Sequence, residues 1–378
     1  MNILITGAEG FIGKNLITHL KEIDDLNLLT FTKENQLSEL ASLVKQADFI
    51  FHLAGVNRPE NESEFYEGNS DLTKFLCDCI AEQGRAIPVV MSSSIQASNE
   101  SIYGKSKKLA EDALISLHNK TGNPIAIYRL PNVFGKWCKP NYNSVVATFC
   151  YNIIHDLPIT VNNPEAPLQL VYIDDVIATF LKKMNLLLDN ANHEVYCEVP
   201  ITYQTTVGEL ASILKDFHQQ RENLYTDNVG VGFKRALYAT YISYLPKNEF
   251  SYSVKKHEDP RGRFVEMLKT PTSGQFSYFT AHPGVTRGGH YHHSKTEKFL
   301  VIKGKALFKF RNIITNEYYE LITTGDNPQV VDTATGWTHD ITNIGDDEMI
   351  VMLWANEIFD PNNPDTYASP LNIEGQIQ

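Results

Sequence analysis

The chain has 378 residues, 42% hydrophobic and 21% charged, which at about 100 to 200 residues per domain excludes a single small module and any disordered, collagen-like or coiled-coil polymer. Its 33 lysines and arginines face 45 aspartates and glutamates, a net charge of -12 that repels a phosphate polymer and excludes nucleic acid as a partner. The opening Met1-Asn2-Ile3-Leu4-Ile5-Thr6-Gly7 carries no basic leader and no apolar run reaches spanning length, so a cytoplasmic protein without a membrane partner is expected.

The first element is an apolar strand at Ile3 to Thr6, followed directly by Gly7-Ala8-Glu9-Gly10-Phe11-Ile12-Gly13 and a helix bearing Leu16, Ile17 and Leu20. Glycines in such a turn allow close backbone approach, so Gly7, Gly10, Phe11, Ile12 and Gly13 are candidates to seat a dinucleotide pyrophosphate on the helix N-terminus. A second strand, Asn27 to Thr32, ends Phe31-Thr32-Lys33 with no carboxylate at its tip. A ribose 2′-OH normally meets an acidic residue there, whereas a 2′-phosphate takes a cation or hydroxyls. Thr32 and Lys33 therefore favour NADPH over NADH. Further strands are expected at Phe49 to Leu53, Pro88 to Ser92 and Ile125 to Leu130, alternating with helical patterns as in a doubly wound parallel sheet. Among the helical stretches, Cys77 and Cys79 read as packing residues. All five cysteines are expected reduced, since they are odd in number and form no CxxC pair.

Between the fourth and fifth strands, Ser92-Ser93-Ser94 runs off a buried strand, and Tyr103 and Lys107 stand four apart on a helix, sharing one face. An ammonium beside a phenol favours the phenolate and eases proton exchange with a carbonyl or alcohol oxygen, which one of the three serines can also hydrogen-bond. With Asp48-Phe49-Ile50-Phe51-His52-Leu53-Ala54-Gly55, Asn69, Arg129-Leu130-Pro131-Asn132-Val133-Phe134-Gly135 and Val171 to Val176, the ordered set resembles the extended short-chain dehydrogenase/reductases of nucleotide sugars. The resemblance covers residues 1 to about 243. It implies a Rossmann fold, Tyr103 as general acid, Lys107 on the nicotinamide ribose, and Ser94 as the orienting hydroxyl. It also implies Ser92, Leu53, Ala54 and Gly55 along the cofactor and Asn132 at the substrate. Only eight residues separate Ser94 from Tyr103, fewer than the family usually has.

After Pro246 the texture changes to short β-rich runs split by turns, the pattern of an all-β barrel or sandwich, with Tyr244 to Phe250 as linker and an irregular tail after Phe359. In Gly284-Val285-Thr286-Arg287-Gly288-Gly289-His290-Tyr291-His292-His293, strand alternation brings His290 and His292 together and turns His293 away. Glu297 follows after a turn, and His339 can arrive from a facing strand. Three imidazoles and a carboxylate suit Zn(2+) or another divalent transition metal. This pattern resembles the cupins, whose first signature is met by Gly284, His290, His292, Glu297 and Gly304. Asp259-Pro260-Arg261-Gly262-Arg263-Phe264 followed by Gly284 to Tyr291 further resembles the cupin epimerases of deoxysugar synthesis. That likeness implies His290 as catalytic base, Arg261 and Arg287 on the phosphates, and Lys298 facing the sugar. The two likenesses give His290 different tasks, because a metal-bound imidazole has no free lone pair.

A reductase at residues 1–243 followed by a cupin at 252–369 resembles the reductase–cupin fusions of capsule and O-antigen synthesis. The likeness implies a UDP-linked 4-keto deoxy amino sugar, UDP-2-acetamido-2,6-dideoxy-4-hexulose, as substrate. It also implies C3 epimerisation and C4 reduction to UDP-2-acetamido-2,6-dideoxy-L-talose, toward UDP-N-acetyl-L-fucosamine, in a homodimer. The rival reading makes the barrel a non-catalytic dimerisation or sugar-sensing module on a plain reductase.

Overall fold

The computed structural model describes residues 1–189, 194–224, 226–254, 256–259, 262–265, 268, 274–357 and 362–371. Arg261, expected on the substrate phosphates, lies outside the described residues. These residues form two compact units, the first made of Met1–Phe134, Cys138–Val145 and Pro167–Thr205, the second of Gly135–Trp137, Val146–Ala166 and the chain from Thr206 onward.

In the first unit, β1 (Asn2–Thr6), β2 (Asn27–Phe31), β3 (Phe49–His52), β4 (Val89–Ser94) and β5 (Ile125–Leu130) are joined in chain order by α1 (Phe11–Leu20), α2 (Leu37–Gln46), the helical stretch 63–81 and α3 (Ile102–Thr121). Three short strands, β6 (Asn132–Phe134), β7 (Pro167–Tyr172) and β8 (Tyr196–Cys197), follow, and α4 (Ile173–Leu188) leaves β7. The main sheet is parallel in the order β2-β1-β3-β4-β5-β8. Helices cover both faces, which is why these strands read as nearly unbroken apolar runs rather than alternations. Leu4, Ile50, Val89 and Ile127 face a core with Leu40, Val44, Leu76, Leu114 and Leu117. On the other face Phe51 and Tyr128 stack against Phe180 of α4, with ring centroids 6.1 and 5.0 Å apart. The strand order reverses beside β1, so a crevice opens at the carboxyl ends of β1 and β3, where α/β sheets bind their ligands.

The second unit is antiparallel. Its strands are β9 (Ser251–Ser253), β10 (Lys256–Asp259), β11 (Gly262–Val265), β12 (Gln275–Ala281), β13 (Thr286–Tyr291), β14 (Glu297–Lys303), β15 (Lys305–Asn312), β16 (Tyr318–Thr324), β17 (Gln329–Thr333), β18 (Trp337–Asn343), β19 (Met349–Ala355) and β20 (Tyr367–Ala368). They form two five-stranded sheets, β9-β17-β14-β19-β12 and β16-β15-β18-β13-β20, beside the hairpin β10-β11. The expected linker is packed: Phe250 is fully buried and meets Phe310 and Trp337 edge-on, with centroids 5.3 and 5.0 Å away. The tail is not wholly irregular either, because β20 pairs with β13 at Tyr291 and His290. Helices 207–223 and 232–242 belong to this unit. Polar side chains anchor them: Arg221 of the first donates to Asp332 on β17, which also takes Lys298 of β14, and Arg235 of the second donates to Glu357.

Candidate active sites

In the first unit, β1 is followed by Gly7 at φ +69°, where a Cβ would lie 2.7 Å from the Ala54 nitrogen. A Cβ on Gly13 would come within 2.3 Å of the Gly7 carbonyl oxygen. The turn thus packs backbone against backbone, bringing Gly7, Gly10 and Gly13 beside Leu53, Ala54 and Gly55 at the end of β3. The helix that follows, α1, has Gly10 as N-cap, no capping side chain and no acidic residue in its first turn, which leaves the N–H groups around Phe11, Ile12 and Gly13 for an anion. The Gly7 N–H donates to the Phe31 carbonyl at 2.9 Å, placing Thr32 and exposed Lys33 next to the same turn. We expect Gly13→Ala to lower this unit's stability by about 1 to 3 kcal/mol, since the turn must open to admit the methyl. An unchanged denaturant midpoint would show that the contact is not tight.

Helix α3 starts at Ser101, whose hydroxyl accepts the Gly104 N–H at 3.0 Å, and this fixes Tyr103 and Lys107 one turn apart on the face toward β4. Lys107 is buried and donates to the Ser92 carbonyl at 3.0 Å. Burial pulls its ammonium down to about 8, with Glu111 opposing, so it is charged at neutral pH. Its Nζ lies 3.6 Å from where a Gly55 Cβ would stand, at the crevice. Burial raises the Tyr103 phenol above its ordinary value, and a hydrogen bond with Ser94 pulls it back. The three serines separate by direction. Ser93 donates to Glu111 at 2.5 Å, Ser92 offers its carbonyl to Lys107, and Ser94 is the serine that acts on the Tyr103 phenol. Ser94 also accepts the Gln96 N–H at 3.2 Å, capping the short 3-10 turn Ile95–Ser98, so eight residues suffice to carry the chain from Ser94 to Tyr103. Glu111, which sequence reasoning did not single out, is fully buried and bound by Arg129 at 2.6 Å and Tyr196 at 3.2 Å. Asn132 is exposed at the start of β6.

In the second unit, His290, His292, Glu297 and His339 converge, each with a ligand atom within 4.8 Å of the others. Their strands differ from the expected arrangement. His339 pairs directly with His290 on the neighbouring strand of one sheet, and Glu297, on β14 of the opposite sheet, is the residue that arrives from across the barrel. A bulge at Gly288 to His290, with Gly288 and Gly289 both at positive φ, re-aims His290 inward. Glu297 Oε2 lies 3.2 Å from His292 Nε2 and 3.4 Å from His339 Nε2. Burial first, then the neighbouring histidines, push His290 down to about 3, and burial lowers His339 as well. Burial opposes ionisation of Glu297, but His292 and His339 hold it well below the usual carboxylate range. Three imidazoles around one carboxylate are the donor set a divalent transition metal takes, so these residues fit such an ion.

The cluster closes one end of a cavity of about 160 Å³ between the sheets, walled by Phe279, Phe299, Phe308, Ile341 and Leu353. Arg287 lines the same cavity, its guanidinium over the Phe279 ring at 5.2 Å. Lys298 is not brought to it. Successive strand residues face opposite ways, so Lys298 points out of the barrel and donates to Asp332 at 2.6 Å beneath Tyr252. His293 is buried with its ring against Tyr291 and Tyr367.

The pattern of the NAD dependent epimerase/dehydratase family matches residues 3–196, and that of the polysaccharide biosynthesis C-terminal domain matches residues 257–367. The chain is 59% identical over 368 residues to the UDP-2-acetamido-2,6-beta-L-arabino-hexul-4-ose reductase of Pseudomonas aeruginosa, covering 97% of this chain and 98% of that one. Among solved structures it resembles the capsular polysaccharide assembling protein CapF from Staphylococcus aureus, with 41% identity, a TM-score of 0.66, and 98% and 100% of the two chains covered. A UDP-glucuronic acid 4-epimerase from Bacillus cereus, 18% identical at a TM-score of 0.51 over 57% of this chain and 83% of its own, shares the fold.

Proposed function

Because the chain belongs to the NAD dependent epimerase/dehydratase family, we propose that it reduces the C4 ketone of a UDP-linked 2-acetamido-2,6-dideoxy-4-hexulose after epimerising C3. One observation carries the reductase half: Tyr103 and Lys107 stand one turn apart on α3, with Lys107 buried on the Ser92 carbonyl at the crevice of the parallel sheet. In this reading residues 1–243 form the reductase, 252–369 the cupin epimerase, and the protein works as a homodimer.

NADPH, when bound, supplies the hydride. Gly7, Gly10, Phe11, Ile12 and Gly13 receive its pyrophosphate, Thr32 and Lys33 its 2′-phosphate, and Leu53, Ala54, Gly55 and Ser92 border its path to Lys107. Tyr103 gives its proton to the C4 oxygen as that oxygen becomes an alkoxide, Ser94 orients the same oxygen, and the Lys107 charge stabilises the phenolate left behind. Asn132 contacts the sugar. In the barrel, the C4 ketone acidifies the C3 proton, which is removed and returned on the other face within the cavity walled by Phe279, Phe299 and Phe308. Arg287 and Arg261 hold the diphosphate. A zinc ion on His290, His292, Glu297 and His339 would supply a fixed positive charge and a cross-link between strands. The His290 lone pair is then engaged, so the proton is moved by another group. Epimerisation precedes reduction, because loss of the ketone removes the acidity at C3 and traps the new configuration.

NADPH oxidation on addition of a UDP-4-keto sugar, with talo-configured product identified by NMR, tests the proposal, and a product with unchanged C3 configuration refutes the epimerase half. Lys33→Glu is expected to weaken NADPH binding roughly tenfold, the cost of about 1.4 kcal/mol when a carboxylate replaces the cation beside a phosphate. Unchanged NADPH affinity would remove Lys33 from the site.

A further inference from the structure

The stretch 362–371 wraps the rim of the histidine cluster. Tyr367 and Ala368 pair with Tyr291 and His290, and the Ser369 N–H donates to the Gly289 carbonyl at 2.7 Å. At its centre stands Asp365, at φ +39°, a conformation that L residues other than Asn and Asp seldom adopt. Its carboxylate accepts four hydrogen bonds, from the N–H groups of His293 (2.9 Å), Ser294 (2.8 Å) and Lys295 (2.6 Å) and from the Ser294 hydroxyl (3.0 Å). Its main-chain carbonyl lies 2.6 Å from His292 Nδ1. A carbonyl only accepts, so that nitrogen donates to it, and Nε2, 3.2 Å from Glu297 Oε2, is the ring atom turned toward the cluster. Lys295 fastens the strap from the other side, donating to the Pro364 carbonyl at 3.1 Å and the Thr366 hydroxyl at 2.7 Å.

We propose that Asp365 is the positioning residue of the metal centre: its carboxylate clasps the 293–295 turn, and its carbonyl fixes the tautomer and ring orientation of His292. The inference rests on the reading of His290, His292, Glu297 and His339 as a metal site, and adds to it a residue 73 positions from His292 in sequence. Removing the carboxylate leaves three successive N–H groups without their acceptor and frees the backbone at 365 from its strained conformation, so the carbonyl no longer holds His292.

The test uses the full chain, stripped of metal and titrated with Zn²⁺ against a chromophoric chelator, then loaded with Co²⁺ for visible spectroscopy. Asp365→Ala is expected to bind Zn²⁺ about 10- to 100-fold more weakly, and its Co²⁺ bands should move toward those of His292→Ala. Asp365→Asn, which tolerates positive φ and keeps one acceptor oxygen, should fall between the alanine variant and the parent, and it decides the matter if the alanine variant does not fold. A clasp that merely steadies the turn would lower the melting temperature of the metal-free protein and leave affinity and spectrum unchanged, which overturns the proposal. Parent protein that binds no Zn²⁺ overturns the metal reading and this inference with it, whereas tight binding by both parent and variants overturns this inference alone.

Discussion

Replacing Tyr103 with Phe should reduce NADPH oxidation with a UDP-4-keto sugar by about 10²- to 10⁴-fold, the usual contribution of a positioned general acid, while deuterium exchange at C3 continues at the parent rate. The hydroxyl is the only group the substitution removes, and the ring keeps its packing against Phe65, whose centroid is 5.7 Å away. Burial holds the phenol protonated, so the parent enzyme presents a donor at rest and does not need to acquire one. Ser94 alone cannot replace it, because a serine hydroxyl that hands over its proton leaves an alkoxide far more basic than the phenolate. Stopped-flow absorbance at the nicotinamide band reads the first activity and proton NMR in D₂O the second. Equal loss of both in a folded variant would end the division of labour between the two units.

The second large effect concerns the ion. His290 and His339 come from adjacent strands of one sheet, His292 follows β13 directly, and Glu297 comes from the opposite sheet, so an ion held by all four ties the two layers together. Its binding free energy adds to folding, by about 4 kcal/mol when free metal exceeds its dissociation constant a thousandfold. For a unit of this size that corresponds to roughly 10 °C in melting temperature. Calorimetry with and without chelator should show the barrel transition falling by that order and the parallel-sheet transition unmoved. Purified protein free of transition metal by elemental analysis, with a melting curve indifferent to chelator, would contradict the site. If exchange at C3 survives chelation below the melting range, the ion is structural; if it stops, the ion acts as a Lewis acid.

Much of this was legible from local patterns. The strand, the glycine turn and α1 follow from the order of residues 3 to 20, and the shared face of Tyr103 and Lys107 follows from the helical repeat. What local pattern cannot decide is what lies opposite a side chain. Ser92, Ser93 and Ser94 are chemically alike, and they are told apart only by Lys107, Glu111 and Tyr103, which reach them from α3. His339 looked like a visitor from a facing strand because strand pairing is non-local; the register that sets it against His290 depends on the bulge at Gly288 and Gly289. Lys298 sits next to a cluster residue in sequence and on the far side of the strand in space, a direct result of alternation and of Asp332 waiting behind it. Asp365 gave no signal, since three of the four hydrogen bonds to its carboxylate come from consecutive main-chain N–H groups, which no side-chain pattern encodes.

The most direct measurement is a proton NMR time course of the UDP-4-keto sugar with the full chain in D₂O, first without NADPH and then with it. The C3 signal should be lost to deuterium without NADPH, and the talo-configured alcohol carrying deuterium at C3 should accumulate once NADPH is added. A C3 signal that persists until NADPH is present, or a reduced product that keeps the original C3 proton, would contradict epimerisation before reduction.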